Sequence, residues 1–253
     1  MELLVDLGNR RLKWCWSNAG VLTGADGLNH ALDHCLPALR DRWEGAPRPE
    51  RILMSSVGSP RIESGVAALT RELWGLSPSL LISTSELLGL RNAYDDPERL
   101  GPDRWAALLG AWVKGFAPCV IVDAGTAVTV DVLDQSGQHL GGAIFSGLGL
   151  SRRALGEGTH RLPTIAGETS ALLGRSTSES IRLGTREALI GAVDRLLTRT
   201  MPSGSGFRLL LSGGDAPILF SAFESLDPVL CDDLVFVGLA SVTAASRWLA
   251  TES

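Results

Sequence analysis

The feature that most constrains the fold is a strand-turn-strand pattern that occurs twice, about half a chain apart. An apolar run leads into the turn Asp6-Leu7-Gly8-Asn9, after which apolar and polar side chains alternate over residues 11–16. A second apolar run leads into Asp123-Ala124-Gly125-Thr126 and into a second alternation over residues 127–132. Because strict alternation is typical of a half-buried strand, each pattern predicts a hairpin. The repeat predicts two structurally similar halves, each forming one wall of a cleft.

Between these hairpins the pattern switches repeatedly from short apolar runs to three- and four-residue spacing, which predicts an α/β protein. Residues 115–118, Gly-Phe-Ala-Pro, break a helix and mark a boundary, so we predict halves of residues 1–117 and 118–253. The other predicted strands are 51–55, 79–83, 207–211 and 234–237, and the predicted helices are 60–74, 103–116, 181–198 and a last one through Trp248.

Charge and cysteine usage exclude several classes of protein. The 253 residues carry 23 basic and 28 acidic side chains, and the basic ones are scattered, so neither nucleic acid nor an anionic membrane is an expected partner. The two lysines, Lys13 and Lys114, lie outside any Walker-type loop. The four cysteines form no CxxC pair and no signal peptide or membrane span is recognisable, which predicts a cytoplasmic protein with reduced thiols. Small ligands are therefore the expected partners.

The two acidic turns are candidate binding sites for phosphate and its cation. An aspartate at the end of a buried strand can hold hydrated Mg²⁺, and the following glycine lets backbone amides approach phosphate. The alternative for either turn alone is an Asx-turn within an ordinary hairpin. Two such turns facing one cleft would bracket a nucleoside triphosphate.

A second candidate site is the segment from Tyr94 to Arg104. Pro102 precedes Asp103, which predicts a helix with an acidic residue in its first turn. Asp103 could serve only as the N-cap of that helix. It could instead accept a proton while Arg104 holds an anionic group of a substrate. The spacing alone leaves both interpretations open.

Glycines and histidines give weaker signals. The glycine-rich residues 141–149 indicate backbone that closely approaches a ligand or another strand, and Ser212-Gly213-Gly214-Asp215 resembles a loop that seats adenine and ribose. His30 and His34 are four residues apart, but a third metal ligand is not evident. His139 and His160 lie near glycines and are predicted to be exposed.

Read in order, the motifs resemble those of type III pantothenate kinases. They are Asp6-x-Gly-Asn9, Tyr94-x-x-Pro97-x-x-Leu100-Gly101-x-Asp103-Arg104, Asp123-x-Gly-Thr126-Ala127-x-Thr129-x-Asp131, Gly141-Gly142-x-Ile144 and Ser212-Gly213-Gly214-Asp215. The resemblance implies an actin- and acetate-kinase-like fold of two ribonuclease-H-like halves with a cleft between them. It also implies a homodimer and ATP-dependent phosphorylation of pantothenate, the first step towards coenzyme A.

The resemblance also implies roles for individual residues. ATP would be contacted by Asp6, Leu7, Gly8, Asn9, Arg10, Arg11, Leu12, Lys13 and Thr126, with Mg²⁺ near Asp6 and a monovalent cation, K⁺ or NH₄⁺, at Asp123. Pantothenate would be held by Tyr94, Gly101, Pro102, Asp103 and Arg104, with Asp103 as the proton acceptor. Thr177 matches a threonine that reaches the substrate of the partner subunit.

Two residues depart from the family pattern, and two other functions compete. Arg10 stands where the family usually has Thr or Ser, which affects the expected ATP geometry more than the choice of substrate. Ser146 stands where the family has proline and loosens a turn that proline would stiffen. One alternative is a non-catalytic regulatory relative of the Bvg accessory factor type, and the other is a kinase of the same fold that acts on acetate or a sugar. The retained acidic residues favour catalysis, and the segment from Tyr94 to Arg104 favours pantothenate.

Overall fold

The computed structural model describes residues 1–30, 35–201, 206–244 and 249–250 and contains two compact units. The first unit consists of Met1–Phe116, Gly137–His139 and the segment from Asp233 onward, and the second of Ala117–Ser136 and Leu140–Asp232. The predicted boundary between residues 117 and 118 places the segment from Asp233 onward in the second half, whereas in the structure this segment is part of the first unit. The predicted loop at 202–206 lies mostly outside the described residues, and His34 and Trp248 lie outside them altogether.

Strands and helices alternate through both units, as the α/β prediction requires. The strands are β1 (Glu2–Leu7), β2 (Arg11–Asn18), β3 (Val21–Asn29), β4 (Ile52–Ser56), β5 (Ser79–Leu81), β6 (Glu86–Leu87), β7 (Leu90–Arg91), β8 (Cys119–Ala124), β9 (Ala127–Leu133), β10 (His139–Ser146), β11 (Arg208–Ser212), β12 (Val229–Leu230) and β13 (Leu249–Ala250). The α-helices are α1 (Cys35–Trp43), α2 (Pro60–Trp74), α3 (Pro102–Val113), α4 (Leu148–Gly158), α5 (Thr177–Thr200), α6 (Ala216–Ala222) and α7 (Leu234–Ala244).

The first unit is built on a six-stranded sheet of order β13-β5-β4-β1-β2-β3. Strands β1, β2 and β3 form an antiparallel meander, whereas β4 runs parallel to β1 and β5 parallel to β4. Alternate residues of β1, among them Leu3 and Val5, join a core with α1 and α2 in which Trp43 lies between Trp14 and Trp74, with ring centroids 5.7 and 5.5 Å away. The opposite face of β1 carries Asp6, because side chains alternate along a strand.

Helix α2 forms where the sequence predicts it, and both its ends have a physical cause. Ser59 caps the first turn by accepting a hydrogen bond from the Ile62 amide (3.4 Å), and Pro60 occupies the first helical position. Gly75 ends the helix with φ of +69°, a left-handed conformation that glycine adopts without strain, and donates its amide hydrogen to the Arg71 carbonyl.

The predicted strand at 234–237 is wrong, because these residues begin helix α7. The run is apolar on every side, and a helix that is apolar all round shows no periodicity that separates it from a buried strand. Helices α3 and α7 pack closely because each has a glycine where it meets the backbone of the other. A Cβ at Gly110 of α3 would overlap the Leu234 carbonyl, and a Cβ at Gly238 of α7 would overlap the Ala106 carbonyl. The packing of α7 on α3 explains why the chain after Asp233 belongs to the first unit.

The second unit repeats the strand arrangement of the first. Its sheet has the order β10-β9-β8-β11-β12, with β9 antiparallel to β8, β11 parallel to β8 and β12 parallel to β11. Numbered within each unit, both sheets therefore place the first five strands in the order 3-2-1-4-5. The core of the second unit contains residues of α4, α5 and α6 packed on the sheet, including Leu148, Leu189, Val193 and Leu219. The hairpins predicted from the repeated motif are β1-β2 and β8-β9.

The cysteines are core residues, as the sequence indicates. All four are buried and free. Burial raises the pKa of the Cys15 and Cys119 thiols to about 12, so both remain protonated at neutral pH. Across the described parts of the chain, we find no helix with the length and apolar character that crossing a membrane requires.

Candidate functional site

The first acidic turn lies where β1 and β2 meet, and the strand register identifies its neighbours. Asp6 pairs directly with Lys13 on β2 and with Ser55 on β4. Paired residues on adjacent strands place their side chains on the same face, roughly 5 Å apart. A carboxylate, an ammonium group and a hydroxyl therefore form one row across three strands.

Backbone hydrogen bonds hold this turn in place. The Gly8 amide donates to the Arg11 carbonyl (2.9 Å), and the Val57 amide donates to the Leu7 carbonyl (2.9 Å). His30 bonds to the turn twice, because its Nε2 donates to the Gly8 carbonyl (2.7 Å) and its amide donates to the Arg10 carbonyl (2.9 Å). His30 thus supports the turn. Its predicted partner in a metal pair, His34, lies outside the described residues.

The start of α3 excludes one of the two interpretations of Asp103 that the sequence left open, its role as the N-cap. The N-cap is Gly101, and Asp103 lies within the first turn of the 12-residue helix, so the interpretation of Asp103 as N-cap is wrong and the first-turn prediction is confirmed. Asp103 Oδ1 accepts a hydrogen bond from the Arg104 amide (2.8 Å). A Cβ at Gly101 would come within 2.6 Å of Oδ1, so glycine leaves room for this carboxylate. The helix dipole favours its ionised form.

The side chains of Arg104 and Tyr94 are in direct contact. Arg104 is 6% exposed, and its Nη1 donates to the Tyr94 hydroxyl (2.9 Å). The guanidinium carbon also lies over the Tyr94 ring, 5.7 Å from its centroid. A buried guanidinium positioned by an aromatic ring is suited to bind a carboxylate. The structure thus brings together the two ends of the segment from Tyr94 to Arg104.

Asn92, which the sequence analysis missed, organises the loop between these ends. Its side-chain nitrogen donates to the carbonyls of Thr84 and Pro97 (both 3.2 Å), and its Oδ1 accepts from the Tyr94 amide (3.0 Å). The side chain connects three points of the chain in this way. An Asx contact to the amide two residues onward is a local signal that could have identified it.

In the second unit, the structure brings the other acidic turn together with both glycine-rich segments. Gly213 has φ of +92°, and a Cβ there would lie 2.5 Å from Asp123 Oδ1 and from the Ala124 carbonyl oxygen. The Gly147 amide donates to the Thr126 carbonyl (3.0 Å), and a Cβ at Gly147 would overlap the Gly125 carbonyl. Both glycines are needed for these close approaches. Both glycines thus approach the acidic turn, and the seat for adenine and ribose expected at Ser212-Gly213-Gly214-Asp215 stays a prediction.

Asp215 fixes the second glycine-rich loop to this turn. Its amide donates to the Ala124 carbonyl (2.9 Å), and its carboxylate accepts a hydrogen bond from the Leu148 amide at the start of α4. Partial burial, with a smaller contribution from Glu168, raises the pKa of Asp215, whereas the Leu148 amide and Arg152 oppose the rise. The carboxylate is therefore a structural link.

Thr177 and the two departures from the family pattern lie at defined positions. Thr177 is the first residue of α5 and is exposed, after the N-cap Ser176. The Ser146 hydroxyl bonds with that of Ser151 on α4 (2.7 Å), which ties down a position where proline was expected. Arg10 uses its backbone carbonyl to accept from His30.

Comparison with known proteins gives matches over most of the chain. The family model described as type III pantothenate kinase matches residues 2–199. A protein of Aromatoleum aromaticum named type III pantothenate kinase is 40% identical over 244 residues, which cover 96% of this chain and 97% of that protein. The similarity therefore includes both acidic turns and the segment from Tyr94 to Arg104.

Solved structures resemble both units at low identity. A putative 2-dehydro-3-deoxygalactonokinase from Sinorhizobium meliloti has a TM-score of 0.60 at 15% identity and covers 98% of this chain and 99% of its own. A putative Baf family transcriptional activator from Campylobacter jejuni has a TM-score of 0.59 at 18% identity, and the match covers 96% of this chain and 98% of the activator. At such identities the likeness is one of fold, and it agrees with the predicted actin- and acetate-kinase-like class.

Proposed function

The chain belongs to the type III pantothenate kinase family, and from this premise we infer that it transfers the γ-phosphoryl group of ATP to pantothenate, the first step of coenzyme A biosynthesis. The observation that carries the inference is the match at 40% identity over 96% of the chain. The geometry at the start of α3 supports it, since a half-buried carboxylate follows Pro102 and a buried guanidinium is bonded to Tyr94.

We assign to Asp103 the role of proton acceptor. Its carboxylate would accept a hydrogen bond from the primary hydroxyl of pantothenate and orient that oxygen towards the γ-phosphorus. As the new O–P bond forms, the bond from phosphorus to the β,γ-bridging oxygen breaks and ADP leaves with that electron pair. The hydroxyl proton passes to Asp103. Positioning of this kind supplies most of the catalysis in phosphoryl transfer.

We assign to Arg104 and Tyr94 the binding of pantothenate itself. Pantothenate carries a carboxylate at the end opposite its primary hydroxyl, and a guanidinium can bind a carboxylate through two parallel hydrogen bonds. Arg104 is buried, so such an ion pair would be screened less by water than one at the surface. Gly101 and Pro102 would line the same site through backbone next to Asp103.

Residues 6–13 and Thr126 are proposed to bind ATP, with Mg²⁺ at Asp6. The row of Asp6, Lys13 and Ser55 fits this role, since the Ser55 hydroxyl is fully buried and has no hydrogen-bond partner among the described residues. That hydroxyl is suited to bind a metal-bound water. Within the described residues, no three His, Cys, Asp or Glu side chains form a metal cluster, but Mg²⁺ bound through one carboxylate, water and phosphate needs none. When bound, Mg²⁺ neutralises charge on the transferred phosphate.

Asp123 is proposed to hold a monovalent cation, K⁺ or NH₄⁺. Hard cations of low charge bind carboxylate and carbonyl oxygens. At Gly213 the Asp123 carboxylate and the Ala124 carbonyl lie close together, and at Gly147 the chain closely approaches the Gly125 and Thr126 carbonyls of the same turn. Replacing either glycine would put a methyl group against these oxygens.

A homodimer is proposed as the active form, with Thr177 contacting the substrate of the partner subunit. Thr177 is exposed at the start of α5, and the nearby Leu172 and Leu173 are 91% and 76% exposed, which is costly for apolar side chains unless something covers them. We expect analytical ultracentrifugation at micromolar concentration to give twice the mass of the chain. A monomer at every concentration used in the activity assay would contradict the dimer.

The alternative functions receive no support from the comparisons. The activator-like structure at 18% identity shows a shared fold, as does the sugar-kinase-like structure at 15%, whereas the relative at 40% identity is named a pantothenate kinase. A regulatory protein would also have no need for a carboxylate and a guanidinium at the start of α3.

Measurement of ADP release tests the proposed function. Purified protein with ATP, Mg²⁺ and K⁺ should release ADP when pantothenate is added, and should remain at background with acetate or a hexose. Omission of Mg²⁺ should abolish the reaction, and replacement of K⁺ by Na⁺ should reduce it. No pantothenate-dependent ADP from folded protein would refute the proposal.

A further inference from the structure

His139 is buried, although the sequence predicts it to be exposed. Its relative exposure is 0%, because the chain segment Gly137–His139 packs within the first unit beside Arg91. The Arg91 amide donates to the Gly137 carbonyl (2.8 Å), and Arg91 Nε donates to Gln138 Oε1 (3.1 Å). Gln138 Nε2 in turn donates to the carbonyl of His139 (2.7 Å). The segment is thus fixed next to the strand that leads to Tyr94.

The imidazole ring of His139 lies against the Tyr94 ring. The two rings are stacked, with centroids 6.2 Å apart and an angle of 19° between their planes. The Ala93 amide points to His139 Nδ1 at 3.5 Å. Nδ1 is the acceptor in this contact. His139 thus touches both the Tyr94 side chain and the backbone just before it.

Tyr94 is therefore held by two side chains, His139 and Arg104. Arg104 is bonded to the Tyr94 hydroxyl, whereas the His139 ring is stacked beside the Tyr94 ring with centroids 6.2 Å apart. A tyrosine ring can rotate about its χ1 and χ2 bonds, and binding would have to stop that rotation if the protein had not already done so. A neighbouring ring and a hydrogen-bonded hydroxyl would restrict this rotation before a ligand arrives.

We propose that His139 is a positioning residue for substrate binding: it fixes the ring of Tyr94, and through its hydroxyl the guanidinium of Arg104, in the orientation that receives the carboxylate-bearing part of pantothenate. The proposal rests on the proposed function. His139 has no contact with the reacting atoms in this account, so its effect should fall on KM for pantothenate and leave kcat and KM for ATP unchanged.

The composition of the chain provides a direct probe. Tyr94 is the only tyrosine among the 253 residues. Protein labelled with 3-fluorotyrosine therefore gives one ¹⁹F NMR signal, which reports the surroundings of this ring alone. We expect the signal to shift when pantothenate is added to the wild-type protein, and to shift in the free protein when the neighbouring imidazole ring is removed.

Three substitutions separate the two contacts of His139. His139→Ala removes both the ring and the acceptor, His139→Phe keeps a ring that can stack, and His139→Asn keeps an acceptor near the Nδ1 position. An aromatic contact contributes enough to binding that loss of the ring should raise KM for pantothenate about 10-fold. His139→Phe should remain within about 3-fold of wild type, and His139→Asn should resemble His139→Ala.

A matched control addresses loss of stability. Val66 is fully buried in α2, within the core on the α1 and α2 side of the sheet, and Val66→Ala should lower the melting temperature without moving the ¹⁹F signal or KM. If His139→Ala does not fold, the comparison of His139→Phe with His139→Asn decides the same question.

The outcomes distinguish this proposal from the function on which it rests. Absence of pantothenate-dependent ADP release by the wild type refutes the function. Wild-type turnover together with unchanged KM in the folded His139 variants that lack the ring refutes the positioning role alone. A rise in KM that His139→Phe reverses, with the ¹⁹F shift following the same order, supports it. Equal losses in kcat and in KM for ATP would show general damage and would also overturn it.

Discussion

Replacing Asp103 with asparagine should lower kcat by about 100-fold or more, because the variant loses the group that accepts the proton of the attacking hydroxyl. Asparagine is nearly the same size, and its Oδ1 can still accept the hydrogen bond from the Arg104 amide that the carboxylate accepts at 2.8 Å. The start of α3 should therefore stay folded, at a cost of less than about 1 kcal/mol from the lost charge at the helix N-terminus. Steady-state kinetics with saturating ATP and pantothenate measure the effect.

Asp96→Asn is the matched control for this variant. Asp96 lies in the segment that precedes α3 and is 64% exposed, and its ion pair with Arg99 is a surface contact. Such pairs contribute little, about 0–1 kcal/mol, so both kcat and the melting temperature should stay close to those of the wild type. Near-normal turnover by a folded Asp103→Asn protein would show that another group accepts the proton.

Replacing Arg104 with lysine should raise KM for pantothenate about 10- to 100-fold, since hydrogen bonds to charged groups contribute roughly 1.5–3 kcal/mol each and lysine cannot form the paired geometry. Lysine keeps the positive charge but loses the planar group that lies over Tyr94 and bonds to its hydroxyl. KM for ATP should remain unchanged. Kinetics at varied pantothenate, together with calorimetric binding of pantothenate alone, measure the loss.

The exposed Arg99 supplies the control for Arg104. Arg99 precedes α3 and its side chain is 82% exposed, and Arg99→Lys preserves its charge. We expect no change in KM for either substrate. An Arg104→Lys protein that binds pantothenate as tightly as wild type would remove Arg104 from the carboxylate site, whatever its effect on stability.

Local sequence patterns were sufficient for the elements whose two sides differ. Strand β2 alternates because one face meets the tryptophan core and the other carries Lys13, and helix α2 has both a capping serine and a terminal glycine. The two acidic turns follow from the same logic, since each joins two alternating strands. In an amphipathic helix or strand, the spacing of the apolar residues therefore indicates which face is buried.

Local sequence patterns could not predict an element that is apolar on every side, or contacts between segments that are distant in the sequence. Helix α7 lacks a polar face, so its apolar run fits a strand equally well. The burial of His139 depends on the pairing of its neighbour Gln138 with Arg91, 47 positions away, and the burial of Ser55 beside Asp6 depends on the parallel pairing of β4 with β1. Neither pairing has a local sequence signal, and both became visible only in the structure.

Candidate site residues were therefore easier to predict from the sequence than the residues that hold them in place. The spacing at the start of α3 made Asp103 and Arg104 candidates and the family resemblance added Tyr94, and the roles of all three stay predictions. The residues that hold them, Asn92 and His139, act through tertiary contacts that a single sequence does not reveal.

A crystal structure of the protein with pantothenate bound is the most direct test of the account. We predict that the carboxylate of Asp103 lies within about 3.2 Å of the primary hydroxyl of pantothenate, and that the guanidinium of Arg104 contacts the carboxylate at its other end. Pantothenate bound with its primary hydroxyl away from Asp103, or bound outside the site formed by Tyr94 and Arg104, would contradict the central claim.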